Sequence, residues 1–268
     1  FGMPYEFLAG KTVLITGGTG SFGQCCVRTL LNESRASRIV IFSRDELKQS
    51  QMQAEIPDPD RRLRYFIGDI RDASRLAMAL QNVDFVIHAA ALKQVPALEY
   101  NPFEAIKTNI LGTQNVITAA IRSKVEKVVL VSTDKAANPA NLYGATKLCA
   151  ERLTTSANAY SGKDGTKLSV VRYGNVLGSR GSIIKVIEQQ RASGEVTLTH
   201  EDMTRFWITL NQGVSLVMLA LEKMYGGEIF VPKLPSMKIK DFISMLAPNA
   251  KMKTVGIRPG EKLHEVLV

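Results

Sequence analysis

Short apolar segments rich in β-branched residues alternate with longer helical patterns through the first two thirds of this chain. Six of these segments predict strands: Thr12–Thr16, Arg38–Phe42, Leu63–Ile67, Phe85–His88, Lys127–Ser132 and Ser169–Tyr173. Because several runs are apolar at nearly every position, we expect both faces of their sheet to be covered. The pattern therefore predicts an α/β fold with a Rossmann-like, doubly wound parallel sheet, whose ligands bind beyond the carboxyl ends of the strands.

The strict alternation lapses after Gly174. Beyond it, helical and strand patterns mix: helices over Ile183–Ser193, Leu210–Lys223 and Ile239–Leu246, and strands at Val196–Leu198 and Glu228–Val231. We interpret residues 1–174 as the Rossmann-like domain. Residues 175–268 are interpreted as mainly a smaller C-terminal substrate-binding lobe, with segments that return to the first domain.

Composition and cysteine usage exclude several classes of protein. Hydrophobic residues make up 45% and charged residues 22% of the chain, which is ordinary for globular proteins. No apolar run approaches the roughly 20 residues that span a bilayer. Cys25, Cys26 and Cys149 form no disulfide framework, and the N-terminus has no signal-peptide pattern. We therefore expect a cytoplasmic protein with no membrane partner.

The charge balance favours an anionic ligand, since 34 Lys and Arg residues against 25 Asp and Glu residues give a net charge of +9. The basic residues are scattered, and the densest cluster, Arg61–Arg64, is interpreted as a solvated turn. A nucleotide-sized anion is expected, and nucleic acid is not. His88 closes a buried strand and is expected to be a core residue, whereas His200 and His264 lack metal-spaced partners, so no metal site is predicted.

A glycine-rich turn follows the first predicted strand. Gly17, Gly20 and Gly23 have GxxGxxG spacing and lead into an apolar helical pattern. Glycines let the backbone turn sharply and approach a pyrophosphate, whose charge is favoured at a helix N-terminus. This strand-turn-helix arrangement predicts a dinucleotide-binding site.

The end of the second strand indicates which dinucleotide binds. A site for NAD usually has an acidic residue there, whereas this chain has Ser43 and Arg44, with Lys48 one turn later. Arg44 and Lys48 can face a 2′-phosphate, and Asp45 is expected to cap the next helix. NADP is therefore the predicted cofactor. Two later strand ends are expected to line the same site: Gly68–Ile70 beside the adenine and Ala89–Ala91 beside the rest of the cofactor.

The strongest chemical signal is the pair Tyr143 and Lys147, which follows Ser132–Lys135 at the end of the fifth strand. Residues four apart share a helix face, so we expect the Lys147 ammonium near the Tyr143 phenol. At about 4 Å and an effective dielectric of about 20, the cation contributes about 4 kcal/mol, equivalent to about three pKa units. We expect Lys147 to lower the pKa of Tyr143, which then acts as a general base during hydride transfer to a nicotinamide.

Six further motifs occur in the order found in one known family: GGTGSFG, ALKQVPALEYNP (Ala91–Pro102), STDKAANPANLYGATK (Ser132–Lys147), VRYGNVLGSRGS (Val171–Ser182), MTRFWITL (Met203–Leu210) and IRPGEKLHE (Ile257–Glu265). Over nearly its whole length the chain resembles the extended short-chain dehydrogenase/reductases that are inverting UDP-N-acetylglucosamine 4,6-dehydratases of bacterial pseudaminic acid biosynthesis. The Thr133–Lys135 triplet, the Lys93 segment and the Arg258–Lys262 run are its more specific motifs. Retaining dehydratases have Thr-Asp-Glu at the triplet, so Lys135 is the informative difference.

The resemblance implies a reaction with no net redox change. NADP⁺ oxidises C4, water is lost across C5 and C6, hydride returns to C6, and C5 is reprotonated from the opposite face. The product is a UDP-4-keto-6-deoxy-L-arabino-hexosulose. Thr133 and Tyr143 would engage the C4 hydroxyl. Asp134 would supply a proton to the leaving C6 hydroxyl, and Lys135 would handle the C5 proton. With Lys147, these form the predicted catalytic set.

The same resemblance implies two sets of binding residues. Cofactor contacts are expected from Gly17, Thr19, Gly20, Ser21, Phe22, Gly23, Ser43, Arg44, Lys48, Asp69, Ile70, Ala89, Ala90, Ala91, Lys93, Asn109, Ser132, Tyr143 and Lys147. Substrate contacts are expected from Lys93, Thr133, Tyr143, Tyr173, Asn175, Arg205, Arg258 and Glu261, the arginines being suited to pyrophosphate.

The resemblance also carries expectations beyond the site. UDP-N-acetylglucosamine is the expected substrate, a homo-oligomer (dimer or hexamer) the expected assembly, and flagellin glycosylation the expected context. Members of the family continue for several dozen residues past the position of Val268, so we expect the substrate lobe to be truncated.

Three alternative functions remain open on the sequence alone. A UDP-sugar 4-epimerase needs the same tyrosine and lysine but no Asp-Lys pair for elimination, and a retaining 4,6-dehydratase differs in the stereochemistry at C5. A noncatalytic NADP-sensing regulator could use the same fold without needing Tyr143 and Lys147 together.

Overall fold

The computed structural model describes residues 3–179 and 183–268. Within these ranges the strands are β1 (Thr12–Thr16), β2 (Arg38–Ser43), β3 (Leu63–Ile67), β4 (Phe85–His88), β5 (Lys127–Thr133), β6 (Lys167–Tyr173), β7 (Asn175–Val176), β8 (Glu195–Leu198), β9 (Thr204–Ile208), β10 (Ile229–Phe230), β11 (Ser236–Lys238) and β12 (Lys251–Thr254). Residues 180–182, which belong to one motif of the family resemblance, lie outside the described part.

The helices alternate with these strands. They are α1 (Ser21–Glu33), α2 (Glu46–Glu55), α3 (Ala73–Ala79), α4 (Val95–Tyr100), α5 (Pro102–Ala105), α6 (Gly112–Arg122), α7 (Leu142–Ser156), α8 (Asn158–Ser161), α9 (Ile183–Arg191), α10 (Leu210–Lys223) and α11 (Ile239–Leu246). Short 3₁₀ helices cover Glu6–Leu8 and Asp134–Ala136, and a π-helical segment, Ile106–Leu111, precedes α6. None of the described helices is long and apolar enough to cross a membrane.

Seven parallel strands form the main sheet, in the order β10-β6-β5-β4-β1-β2-β3. This contains the 3-2-1-4-5-6 order of a doubly wound dinucleotide-binding sheet, so the predicted fold class is confirmed. All six strands predicted for the first 174 residues are present. Three are longer than predicted, since β2 includes Ser43, β5 includes Thr133, and β6 begins at Lys167.

Apolar residues cover both faces of the main sheet. Successive residues of β1 point to opposite faces, so Val13 and Ile15 join one core cluster while Leu14 joins the other. The first cluster is completed by α1 and α10, and the second by α3 and α6. Helix α10, although it follows residue 174 in the chain, therefore packs against the main sheet.

A smaller body with its own core is formed by residues after 174. Strands β11, β9 and β7 form one sheet and β12 and β8 another. Its core includes Ile187, Trp207, Phe242 and Ile243, with the Trp207 and Phe242 rings stacked at a centroid distance of 4.5 Å. The sequence analysis predicts no strand at β7, β9, β11 or β12. The assignment of this body to substrate binding stays a prediction.

Candidate active site

A cleft of about 1000 Å³ opens at the carboxyl ends of the main sheet. Residues that follow the strands line it on one side, and residues of the smaller body line it on the other. It brings together the greater part of the predicted site: Gly17, Thr19, Gly20, Ser21, Phe22, Gly23, Ser43, Arg44, Lys48, Asp69, Ile70, Ala89, Ala90, Ala91, Lys93, Ser132, Thr133, Lys135, Tyr143, Lys147, Tyr173 and Asn175.

The glycine-rich turn is fixed by close backbone packing. Gly17 has a φ of +68°, and a Cβ there would lie 2.9 Å from the backbone of Ala90. A Cβ on Gly23 would lie 2.5 Å from the backbone of Gly18, so α1 could not approach β1 as it does. Gly20 precedes the first turn of α1, which lines the cleft. The space kept open beside a helix N-terminus fits the pyrophosphate of a dinucleotide.

Two basic side chains flank the cleft where β2 ends. The Arg44 guanidinium lies 3.6 Å from a carboxylate oxygen of Asp69, and Lys48 Nζ lies 2.7 Å from Asp45 Oδ2. Asp45 also accepts a hydrogen bond from the Lys48 backbone N–H at 3.0 Å, which caps α2 as predicted. The side chains of Arg44 and Lys48 are about half exposed, so both can reorient toward a bound anion.

Asp134 is the centre of a buried hydrogen-bonded group. Its Oδ1 accepts from the Thr133 hydroxyl at 3.0 Å and from Lys135 Nζ at 3.1 Å. Asp134 is fully buried and is not among the described residues that line the cleft, although Thr133 and Lys135 are. Among the described residues, Oδ2 of Asp134 has no hydrogen-bond partner. The carboxylate thus lies one hydrogen bond behind two cleft-lining side chains.

Tyr143 and Lys147 lie on α7 and both line the cleft, but their electrostatics differ from the prediction. Burial and the Asp134 carboxylate raise the pKa of Tyr143, although a hydrogen bond with Thr133 lowers it. The expectation that Lys147 lowers this pKa is wrong for this structure. Its ammonium instead donates to the Val131 carbonyl at 2.8 Å, and burial lowers its own pKa to about 8.

Lys93 adds a second cation beside Lys135. Burial lowers the pKa of Lys93, and the charge of Lys135 lowers it further. Both lysines line the cleft. They form a cationic wall that suits an anionic substrate.

Four of the predicted binding residues lie outside the cleft lining. Asn109 is buried, and its amide bonds to both backbone groups of Leu92, at 2.8 Å each, and to the Thr146 hydroxyl at 3.0 Å. Asn109 therefore braces the wall of the cleft, and its expected contact with a cofactor stays a prediction. The other three are Arg205, Arg258 and Glu261.

The hydrogen bonds of those three residues involve the C-terminal segment, and their contacts with the substrate stay predictions. Arg205 is buried and donates to the backbone carbonyls of Thr204 at 2.7 Å and Leu263 at 3.2 Å. Arg258 is exposed, and its backbone N–H donates to Glu261 at 3.2 Å. Arg205 therefore joins β9 to the C-terminal segment, and the two others shape a turn of that segment.

Two groups that the structure brings to the cleft are not predicted from the sequence. Thr108 and Trp207 both line it, and among the described residues neither Thr108 Oγ1 nor Trp207 Nε1 has a hydrogen-bond partner. Buried polar atoms without partners are uncommon in folded proteins. No sequence signal identifies Thr108, whereas Trp207 belongs to the MTRFWITL motif.

His88 is a core residue, as predicted. Its ring nitrogens contact the hydroxyls of Thr16 at 2.6 Å and Thr113 at 3.0 Å. Burial, assisted by the charge of Lys147, lowers the pKa of His88 to about 3. In the described ranges, no group of three or more His, Cys, Asp or Glu side chains is placed to hold a metal ion.

Comparison with known proteins identifies the family. A model of the polysaccharide biosynthesis protein family matches residues 13–268. The chain belongs to this family. An inverting UDP-N-acetylglucosamine 4,6-dehydratase from Campylobacter jejuni is 53% identical over 97% of this chain and 78% of its own length. The resemblance inferred from the motifs is thereby confirmed.

Other proteins similar to this chain have different names. A UDP-glucose 4-epimerase from Rickettsia canadensis is 43% identical over 96% of this chain and 77% of its own length. Among solved structures, Pen from Bacillus thuringiensis is 45% identical with a TM-score of 0.93, covering 97% of this chain and 84% of that chain. DesIV, a dTDP-glucose 4,6-dehydratase from Streptomyces venezuelae described with bound NAD, shares the fold at 24% identity and a TM-score of 0.83, with 96% and 88% covered.

Proposed function

We propose that this protein is an inverting UDP-N-acetylglucosamine 4,6-dehydratase, a hydro-lyase that forms a UDP-4-keto-6-deoxy sugar with inversion at C5. The observation that carries the proposal is the position of Lys135, which lines the cleft and bonds through its ammonium to Asp134 at 3.1 Å, next to Thr133 and Tyr143. The identity to the Campylobacter jejuni enzyme supports it.

The first chemical task is to take the proton from the C4 hydroxyl. Tyr143 and Thr133 both line the cleft, so Thr133 can orient the substrate hydroxyl while Tyr143 accepts its proton. When bound, the nicotinamide would take the C4 hydride, return it at C6, and place a positive charge in the cleft that lowers the pKa of Tyr143.

The second task is the loss of water. Once C4 is a ketone the C5 proton is acidic. Lys135 passes its ammonium proton along its hydrogen bond to Asp134 and, as the neutral amine, takes the C5 proton. The C5–H and C6–O bonds break, and the C6 hydroxyl leaves as water with a proton from Asp134. Because Asp134 lies behind the cleft wall, that proton passes through Thr133 or Lys135. Loss of water leaves Lys135 as an ammonium and Asp134 as a carboxylate. One proton, equivalent to the one taken from the C4 hydroxyl, then adds to C5 from the opposite face, while oxidation at C4 and reduction at C6 cancel.

NADP is proposed as the preferred form of the cofactor. Arg44 and Lys48 flank the cleft at the end of β2, where an acidic residue would favour NAD. The described cysteines are free thiols, which supports a reducing compartment such as the cytoplasm. A homo-oligomer and a role in pseudaminic acid biosynthesis and flagellin glycosylation remain parts of the proposal that rest on the family resemblance.

The test is conversion of UDP-N-acetylglucosamine by the purified protein in D₂O. We expect a product that has lost one water, carries deuterium at C5 and has inverted configuration there, as read by mass spectrometry and NMR. A product of unchanged mass would show an epimerase instead. Deuterium at C5 with retained configuration would show a retaining dehydratase.

A UDP-sugar 4-epimerase is the second candidate, because relatives named UDP-glucose 4-epimerase are 43% identical to this chain. Epimerisation also needs Tyr143 but leaves the C5–H and C6–O bonds intact. A proton-transfer pair such as Asp134 and Lys135 has no task in it. Deuterium at C5 therefore separates the two candidates even if turnover is slow.

A further inference from the structure

The C-terminal segment is attached to the loop that joins Lys135 to Tyr143. Lys262 Nζ donates to the carbonyls of Ala137 at 3.0 Å and Asn138 at 3.1 Å. From the other side, the Asn141 side chain donates to the Gly260 carbonyl at 2.8 Å. These contacts connect residues more than a hundred positions apart in the chain. They hold the segment against the back of the catalytic loop.

This attachment buries the Glu265 carboxylate beside Lys135. The Glu265 side chain is only 3% exposed, and its Oε1 lies 3.7 Å from Lys135 Nζ. Its other oxygen lies 2.6 Å from Lys262 Nζ. A buried carboxylate is costly unless it is paired, and here two ammonium groups share it. Glu265 is not one of the described cleft-lining residues, so it reaches the site through Lys135.

Lys135 therefore has three oxygen neighbours from three separate parts of the chain. Asp134 Oδ1 lies 3.1 Å and Asn175 Oδ1 3.3 Å from its Nζ, with Glu265 third. A lysine has three rotatable N–H donors on a flexible stem, so a single contact would leave its position undefined. Two hydrogen-bond acceptors and one ion-pair partner, from three parts of the chain, restrain the nitrogen at the cleft wall.

We propose that Glu265 is a positioning residue for the C5 proton transfer, acting by holding Lys135 Nζ in reach of the substrate. This inference rests on the proposed dehydratase function. Misplacement of a reacting group by about 1 Å can lower a rate by about 10²-fold. Loss of the Glu265 charge therefore slows the step that uses Lys135. It leaves the earlier oxidation at C4, which uses Tyr143, at its original rate.

The experiment compares Glu265→Gln with the wild-type protein and with Glu201→Gln, an exposed glutamate of the same smaller body that pairs with Lys240. Three quantities are measured: kcat and KM for dehydration, the rate of the first reduced-nicotinamide absorbance in a single turnover, and the melting temperature. For Glu265→Gln we expect kcat to fall by about 10- to 100-fold, with KM and the oxidation rate within about twofold. Reduced nicotinamide should accumulate, and Glu201→Gln should match the wild type.

Glu265→Asp keeps the charge but draws it back by one methylene, so it should show the same split between oxidation and dehydration with a smaller loss. Glu265→Asp also provides the test of the proposal if Glu265→Gln does not fold. A kcat for both Glu265 variants equal to that of the wild type overturns the proposal. The proposal is also overturned if the rates of oxidation and dehydration fall by the same factor and the melting temperature drops. That result would show that Glu265 only stabilises the fold.

The outcome also separates this inference from the function on which it rests. A wild-type protein that releases no water from UDP-N-acetylglucosamine overturns both. A wild-type protein that dehydrates the sugar, while both Glu265 variants do so equally fast, overturns only the role of Glu265.

Discussion

Glu151 and Arg172 form a buried two-point ion pair, with Arg172 Nε 3.0 Å from Oε1 and Nη2 2.6 Å from Oε2. Oε1 also accepts a hydrogen bond from the Ser132 hydroxyl at 2.7 Å. Glu151 lies on α7, four residues after Lys147, whereas Ser132 and Arg172 lie on β5 and β6. The pair therefore ties the helix that carries Tyr143 and Lys147 to the strands that end at the cleft.

Glu151→Ala should lower the free energy of unfolding by about 3–5 kcal/mol, because it leaves the Arg172 charge buried without its partner. The double change Glu151→Leu with Arg172→Met should recover the greater part of that loss. Asp202→Ala, which breaks the exposed pair with Lys238, is the matched control and should leave the free energy of unfolding nearly unchanged. Urea unfolding curves measure the free energy of unfolding of the three variants. A small effect of Glu151→Ala would contradict the stabilising role of the Glu151–Arg172 pair.

Tyr143→Phe should lower turnover by about 10²- to 10⁴-fold, because the ring stays but the oxygen that accepts the C4 proton is lost. Binding of nucleotide should survive, since the glycine-rich turn is untouched. Turnover is followed by product formation and binding by calorimetry with the cofactor. Near-normal turnover in this variant would remove Tyr143 from the mechanism.

The sequence predicts the main sheet well because its strands are long enough for their pattern to be read. Strand β1 has five consecutive buried residues, and the glycine-rich turn after it has a fixed spacing. Strand β7 has two residues and β11 has three, which is too few for a period to appear. These two short strands are therefore visible only through their contacts, whereas α9, α11 and β8 of the smaller body are predicted from their patterns.

Local sequence patterns also predict only part of the site. Cleft-lining residues at or just after the end of a strand, such as Thr133 and Lys135, can be placed from the chain order alone. The roles of Glu151 and Glu265 depend on partners 21 and more than a hundred residues away, which no local pattern shows. The predicted direction for the pKa of Tyr143 is wrong because the sequence argument counts the lysine charge and leaves out burial, which only the folded chain reveals.

Arg44→Asp should shift the cofactor preference from NADP toward NAD. The change removes a cation from the cleft and supplies a carboxylate that can accept from a ribose hydroxyl. Loss of one charge-assisted contact of about 1.5–3 kcal/mol corresponds to about 10- to 150-fold weaker NADP binding. Titration of each protein with NAD and with NADP measures the two affinities. Arg28→Asp, on α1 and absent from the described cleft lining, is the control. Equal affinity of the wild type for NAD and NADP would contradict the proposed specificity.

Protonation of His88 should make the protein less stable in mild acid. The pKa of His88 is about 3 in the folded protein against an ordinary value of 6.5, so the unfolded chain binds the extra proton between these pH values. The free energy of unfolding should therefore fall as pH drops below 6.5, by about 2 kcal/mol between pH 7 and pH 5 from this group.

His88→Asn should flatten that pH dependence, each protein being compared with its own stability at pH 7. His200→Asn, which changes a histidine outside the core clusters, should keep the wild-type slope. Chemical unfolding at a series of pH values measures both. A His88→Asn protein that loses as much stability as the wild type between pH 7 and pH 5 would show that another group is responsible.

Lys135→Ala should abolish elimination while leaving slow, reversible oxidation at C4. Lys135 is the cleft-lining partner of Asp134, so its removal takes away the base at C5 and one of the two routes by which the Asp134 proton reaches the substrate. Reduced nicotinamide should appear transiently without release of water, and no deuterium should enter C5 in D₂O. Lys163→Ala, an exposed lysine absent from the described cleft lining, should behave as the wild type. A Lys135→Ala protein that still dehydrates the sugar and inverts C5 at close to the original rate would exclude Lys135 as the C5 base, and the structure would then leave Lys93 as the neighbouring cation to test.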